Sequence, residues 1–204
     1  MPKVKICGIT QPQQGRDISL LGADYIGVVV YPKSPRNVSL KDVRDIKDAI
    51  SGNTKLVAVV VDPDRELVEE LLKMVDIIQF HGNESLEVLE QFPKERVIKA
   101  FRIRDKRDLD KLKSFIEKGY TVLVDAYVEG QYGGTGSRLD VELLRDLVGI
   151  WDKMIVAGGL SDENVEQLLK EVKPFGLDAS SRLEISPGIK DLEKVKRFIR
   201  AVKG

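Results

Sequence analysis

The chain is poor in the residues that bind metals, cross-link or stack on bases: among 204 residues it has one cysteine, one histidine and one tryptophan. A single cysteine excludes an internal disulfide. His81 has no companions at metal-ligand spacing, so no metal is expected, and it reads instead as a hydrogen-bonded residue at the edge of a binding site. Charge of one sign is lacking too: 33 basic residues balance 33 acidic ones, with no block of five alike, which argues against a nucleic-acid groove or an acidic tail. Trp151 and the five tyrosines form no stacking platform, so single-strand binding is unsupported as well. No apolar run approaches the roughly 20 residues that span a bilayer. Met1-Pro2-Lys3-Val4-Lys5 lacks the apolar core and small-residue cleavage site of a secretory signal. The expectation is a cytoplasmic protein acting on a small molecule, without nucleic acid or membrane as partner.

What the chain does have is alternation. Short β-rich apolar runs alternate with charged segments of helical period along its whole length, the pattern of βα units around a parallel sheet. The strand candidates are Lys3–Cys7, Tyr25–Val30, Lys55–Val61, Ile77–Phe80, Val97–Phe101, Thr121–Asp125, Met154–Ala157 and Phe175–Asp178. Helices are expected at Leu40–Ile50, Arg65–Met74, Lys106–Lys118, Leu139–Val148, Asn164–Val172 and Asp191–Val202, with Ser161 as an N-cap before the acids at 162 and 163. Eight such units without a Pro/Gly/Ser linker favour one closed (βα)₈ barrel over residues 1–204, with an open doubly wound sheet as the alternative.

In such a barrel the chemistry lies at the C-terminal strand ends and the loops that follow them. The period of two in Val4-Lys5-Ile6-Cys7 puts Lys5 and Cys7 on one face and the apolar pair on the other. Val122-Leu123-Val124-Asp125 repeats the layout, so two strand ends each offer an ionisable group. Gly158-Gly159 alone marks a tight turn; paired with Ser180-Ser181 after the next strand it becomes a candidate phosphate cradle. The Gly-rich stretch 130–136 is not a Walker loop, because no Gly-Lys-Ser/Thr follows, and reads as a lid or a plain connection. Arg36, behind Pro32 and Pro35, suits bidentate capture of a carboxylate.

These motifs also carry a resemblance. Lys5-Ile6-Cys7-Gly8-Ile9-Thr10, Tyr31-Pro32-Lys33-Ser34-Pro35-Arg36, Gln79-Phe80-His81-Gly82, Val124-Asp125 with Tyr132-Gly133-Gly134-Thr135-Gly136, Ala157-Gly158-Gly159-Leu160, and Asp178-Ala179-Ser180-Ser181 with Pro187-Gly188-Ile189-Lys190-Asp191 resemble, in order and end to end, the phosphoribosylanthranilate isomerases of tryptophan biosynthesis. The resemblance implies a (βα)₈ barrel and a cofactor-free Amadori rearrangement of N-(5-phosphoribosyl)anthranilate to 1-(2-carboxyphenylamino)-1-deoxyribulose 5-phosphate. It implies Asp125 as general acid and Cys7 as general base. It also implies Arg36 on the anthranilate carboxylate, and Gly158, Gly159, Ser180 and Ser181 on the phosphate. Cys7 then needs help towards thiolate, which Lys5 one layer below is expected to give, while burial is expected to keep Asp125 protonated.

The chain departs from the family pattern at Ser137, at Leu139-Asp140-Val141 and at Arg182, which bear on the lid and the phosphate loop. The aminoaldose isomerase of histidine biosynthesis performs the same rearrangement with two aspartates, whereas this first strand ends in cysteine. A cysteine hydrolase would require His81 beside Cys7. A non-catalytic phosphosugar-binding barrel is the remaining alternative, and the oligomeric state is left open between monomer and homodimer.

Overall fold

The computed structural model describes residues 1–103, 106–125 and 141–204. Its eight strands, β1 (Lys3–Cys7), β2 (Tyr25–Val29), β3 (Lys55–Val60), β4 (Ile77–Phe80), β5 (Val97–Arg102), β6 (Thr121–Asp125), β7 (Met154–Ala157) and β8 (Gly176–Ala179), follow one another round a closed parallel barrel. β1 seals it against β8, with Lys3 opposite Gly176 and Lys5 opposite Asp178, which rules out the open sheet. Strand ends move by one residue at most from the sequence reading. Phe175, for example, gives only its carbonyl to the Lys3 amide at 2.8 Å and lies outside β8.

The helices are α1 (Pro12–Leu20), α2 (Leu40–Ala49), α3 (Arg65–Leu71), α4 (Leu86–Leu89), α5 (Asp110–Glu117), α6 (Val141–Ile150), α7 (Val165–Glu171) and α8 (Leu192–Lys203). α1 and α4 are absent from the sequence reading. Gly15 lowers the helix propensity of α1, yet a Cβ there would lie 3.2 Å from Ile46 Cγ2, so the glycine lets α1 close on α2. A second departure concerns α7, which starts at Val165 behind Asn164, three residues later than Ser161 implied, although the Ser161 hydroxyl still accepts from the Glu163 amide at 3.3 Å in the turn before it. Ser161 also donates its amide to Asn164 Oδ1 at 2.8 Å, and Asn164 Nδ2 reaches back to the Gly159 carbonyl at 2.9 Å, fixing the loop after β7. A hairpin of β9 (Glu184–Ser186) and β10 (Ile189–Lys190), also unforeseen, follows a 3₁₀ turn at Ser181–Leu183. Leu139 and Asp140 lie outside the described residues.

The period-two reading holds in three dimensions. Val4, Ile6, Val122 and Val124 point outward into the layer shared with the helices, all 0% exposed. Val57, Ile77, Ile98, Ala100, Leu123, Ile155 and Ala157 form a separate cluster inside the barrel. Each of the larger of these contributes roughly 1.5–3 kcal/mol by leaving water. On the N-terminal face Asp24 accepts from the Val4 amide and Lys3 Nζ, both at 2.9 Å, and pairs with Lys203 at 2.7 Å, so α8 is tied to the start of β1. This clasp lies away from the rim that carries the polar strand ends.

Candidate active site

The C-terminal rim gathers the residues expected to act. Cys7 ends β1 and Asp125 ends β6, three strands away round the barrel. Arg36 lies in the loop after β2, His81 follows β4, Gly158 and Gly159 follow β7, and Ser180 and Ser181 follow β8. The stretch 130–136, expected as a lid, and Ser137 lie outside the described residues. Arg182 is exposed in the 3₁₀ turn.

Cys7 is buried, 8% exposed, and it fits because β2 carries Gly27 beside it: a Cβ there would sit 2.7 Å from the sulfur. Lys5 lies below it, 1% exposed, and ion-pairs with Asp178 Oδ2 at 3.0 Å. Lys5 supplies part of the expected help towards thiolate, but it is outweighed. Burial pushes the thiol above its ordinary value, and although Lys5 and Lys190 pull it down, Asp178 works with burial and the upward shift wins. The lysine is shared: burial disfavours its charge, but Asp178 and Cys7 together hold its pKa above the usual range. Asp178 is itself pushed up by burial, more than Lys5 pulls it down. The strand period could have flagged Asp178, since it shares the inner face with Gly176.

His81 is neutral here. Burial drives its pKa down to about 4, against the opposing pull of Asp125. Its Nδ1 lies 3.3 Å from Gln79 Nε2, and its Nε2 has no partner among the described residues. The turn that carries it is braced from outside the barrel wall by a buried ion pair. Lys99 Nζ donates to Glu84 Oε2 at 2.9 Å and to the Gly82 carbonyl at 2.8 Å, while Glu84 Oε1 accepts from the Asp62 amide at 2.8 Å. Asp62 stands at a left-handed φ of 44°, and a Cβ on Gly82 would strike its carboxylate at 2.4 Å.

Arg36 is already engaged. Its Nε and Nη2 donate to Glu184 Oε1 and Oε2 at 2.8 and 2.6 Å, and Glu184 was not singled out in the sequence. Besides the two prolines, hydrogen bonds hold its loop: the Tyr31 amide donates to Asn37 Oδ1 at 2.8 Å and the Arg36 amide to Ser34 Oγ at 3.1 Å. Ser180 also departs from expectation, because its hydroxyl donates to the Cys7 carbonyl at 2.9 Å and is therefore not available as a phosphate donor. Its amide, the exposed Ser181, and the turn at Gly158 and Gly159, with φ of 108° and 64°, remain on the rim as the candidate cradle.

Fold and rim together define a (βα)₈ barrel whose C-terminal rim carries ionisable groups on separate strand ends, where enzymes of this fold place their active sites. The family model for N-(5'-phosphoribosyl)anthranilate (PRA) isomerase matches residues 4–201. An N-(5'-phosphoribosyl)anthranilate isomerase of Sulfurihydrogenibium sp. (strain YO3AOP1) is 56% identical over 98% of both chains. The solved phosphoribosyl anthranilate isomerase of Thermotoga maritima, described elsewhere as dimeric, is 33% identical with a TM-score of 0.91, covering 100% of both chains. Another solved phosphoribosyl anthranilate isomerase holds reduced 1-(o-carboxyphenylamino)-1-deoxyribulose 5-phosphate; it is 31% identical over 100% of both chains, with a TM-score of 0.89. The chain belongs to the phosphoribosylanthranilate isomerase family.

Proposed function

We propose that this chain, as one catalytic domain over residues 1–204, converts N-(5-phosphoribosyl)anthranilate into 1-(2-carboxyphenylamino)-1-deoxyribulose 5-phosphate, using Asp125 as acid and Cys7 as base and no cofactor. The observation that carries the residue roles is the placement of a thiol and a carboxylate at the ends of β1 and β6 on one rim. Asp125 gives a proton to the ribose ring oxygen, the C1′–O bond breaks, and the nitrogen lone pair closes a C1′=N iminium. Cys7 then removes the C2′ proton, and that electron pair forms the C1′=C2′ bond and neutralises the nitrogen. Tautomerisation of the enolamine leaves the ketone at C2′ and a proton on C1′. Atoms and electrons balance within one molecule, so no oxidant or reductant takes part.

Arg36 would hold the anthranilate carboxylate, a charge-assisted pair. The amides at Gly158, Gly159, Ser180 and Ser181 would hold the phosphate, and neutral His81 would face the sugar. A cytoplasmic monomer or homodimer acting on this phosphosugar is the setting this reading implies. The test is the decay of anthranilate fluorescence on mixing with freshly made phosphoribosylanthranilate. Cys7→Ser and Asp125→Asn should each lower kcat by ~10² or more, the usual contribution of general acid–base catalysis. Near-wild-type turnover of either variant removes that residue from the mechanism, and decay absent from the wild type refutes the reaction.

A further inference from the structure

Glu184 and Lys190 lie outside the roles assigned above, yet they are among the most completely enclosed charges of the rim, at 4% and 0% exposure. Glu184 takes four donors: Nε and Nη2 of Arg36, Lys190 Nζ at 2.7 Å and the Gly188 amide at 3.2 Å. Burial alone would raise its pKa, but Arg36 and Lys190 hold it down at about 2. Lys190 Nζ also reaches the Ser180 carbonyl at 3.3 Å and its hydroxyl oxygen at 3.4 Å. The hairpin that supplies both residues is clamped to the first βα unit, since the Lys190 amide donates to Gln14 Oε1 at 3.1 Å and Thr10 Oγ1 to the Gly188 carbonyl at 2.8 Å.

Two features of this cluster point to a ligand. It holds two cations, Arg36 and Lys190, against one carboxylate, an excess of one positive charge in a largely enclosed place. And Glu184 covers only one edge of the guanidinium. Of the five N–H groups of an arginine, it takes one on Nε and one on Nη2, and among the described residues no other group takes the end formed by Nη1 and Nη2, which suits a second planar anion. On the Cys7 side, Arg36 passes over Gly8, where a Cβ would meet Arg36 Cδ at 2.6 Å.

We propose that Glu184, itself held by Lys190, is the positioning residue that sets the chain's selectivity for a carboxylated aryl amine: it fixes Arg36 edge-on so that the free end of the guanidinium meets the substrate carboxylate, whose charge completes the cluster. The proposal rests on the reading of Arg36 given under Proposed function. Through Ser180, Lys190 ties this grip to the loop carrying the phosphate cradle, so both ends of the substrate are referred to one buried charge.

The experiment compares kcat/KM for phosphoribosylanthranilate with that for the phosphoribosyl adduct of aniline, which lacks the carboxylate. Glu184→Gln should lower that ratio by roughly 10-fold or more, mainly through KM of the carboxylated substrate, the scale expected when a charge-assisted pair is misaligned. In an Arg36→Met background the same substitution should change the ratio by less than about 2-fold, because its effect runs through Arg36. Should Glu184→Gln fail to fold, Lys190→Gln, which keeps a donor for Glu184 but no charge, should move the ratio in the same direction. An equal loss on both substrates would make Glu184 a structural group only, and a lower KM for the carboxylated substrate would make it a competitor that must be displaced; either overturns the proposal. The same ratio is read as Kd for the reduced, unreactive amines of the two products. A wild type that binds them selectively but turns over neither substrate therefore refutes the reaction and leaves this inference standing.

Discussion

The lysine beneath the thiol gives the sharpest test of how this rim is tuned, because the chain has a single cysteine and any thiol titration reports Cys7 alone. Cys7 sits above its ordinary value through burial, held back by the charge and hydrogen bond of Lys5 and raised further by the charge of Asp178. Lys5→Met keeps the length of the side chain and removes both downward influences. It also leaves Asp178 without its 3.0 Å cation, and since burial already pushes that carboxyl up, it takes a proton and its own upward effect on the thiol fades. Two effects of Lys5 are lost against one of Asp178, so the net movement is upward. The thiolate fraction falls with that upward movement, so alkylation by iodoacetamide at pH 8 should slow by roughly 10-fold, the scale on which an adjacent opposite charge acts. Asp178→Asn removes the upward influence and leaves Cys7 as the group that answers the charge of Lys5, so it should speed alkylation. The measurement is the alkylation rate against pH for the two variants and the wild type, with melting temperatures as a check on folding. Shifts of the same sign in both variants, or none in Lys5→Met, would refute this account of the thiol.

Gly8→Ala should destabilise the protein by about 1–2 kcal/mol, because the residue stands at φ 84°, and should raise KM as its methyl displaces Arg36; chemical denaturation and steady-state kinetics read the two effects. Asp24 has its pKa lowered: burial would raise it, but hydrogen bonds from Lys203, the Val4 amide and Lys3 prevail. A depressed folded-state value stabilises above the unfolded value of ~3.9 and is lost as pH falls through the folded one, so Asp24→Asn should lower the melting temperature at pH 7 and leave it nearly unchanged near pH 2. Inorganic phosphate should inhibit competitively if the amides after β7 and β8 form the cradle, and Arg182→Gly separates a phosphate ligand, seen as a higher inhibition constant, from a solvated arginine, seen as no change.

The barrel was legible because its strands obey a period of two over a buried wall: Val4 and Ile6 against Lys5 and Cys7 is a pattern that local sequence carries in full. The boundary residues were legible to within a residue for the strands and less well for the helices, where Gly15 hid α1 and a turn from Ser161 to Asn164 delays the start of α7. On the rim, a strand's last residue announces itself, which is why Cys7 and Asp125 could be picked out. Glu184 could not be, because it gains meaning only from Arg36, 148 positions away. Lys99 and Glu84 were hidden for the same reason: a charged pair buried outside a barrel wall looks, in sequence, like two solvated side chains. The direction of the Cys7 shift depended on the balance of burial with three neighbouring charges, a sum in three dimensions that the strand pattern does not contain.

Gln79 Oε1, His81 Nε2 and Asp178 Oδ1 are buried without a hydrogen-bond partner among the described residues. Polar atoms left in this condition cost stability, typically ~1–3 kcal/mol each. Random mutagenesis under heat selection alone, with activity unmonitored, should therefore find Leu, Met or Phe at positions 79 and 81 early, while Lys5 and Asp178 persist because losing either strands the other's buried charge, yielding barrels that outlast the parent and do less. Read in reverse, the substitutions such a screen accepts most readily would map the mouth of the barrel without any substrate being known.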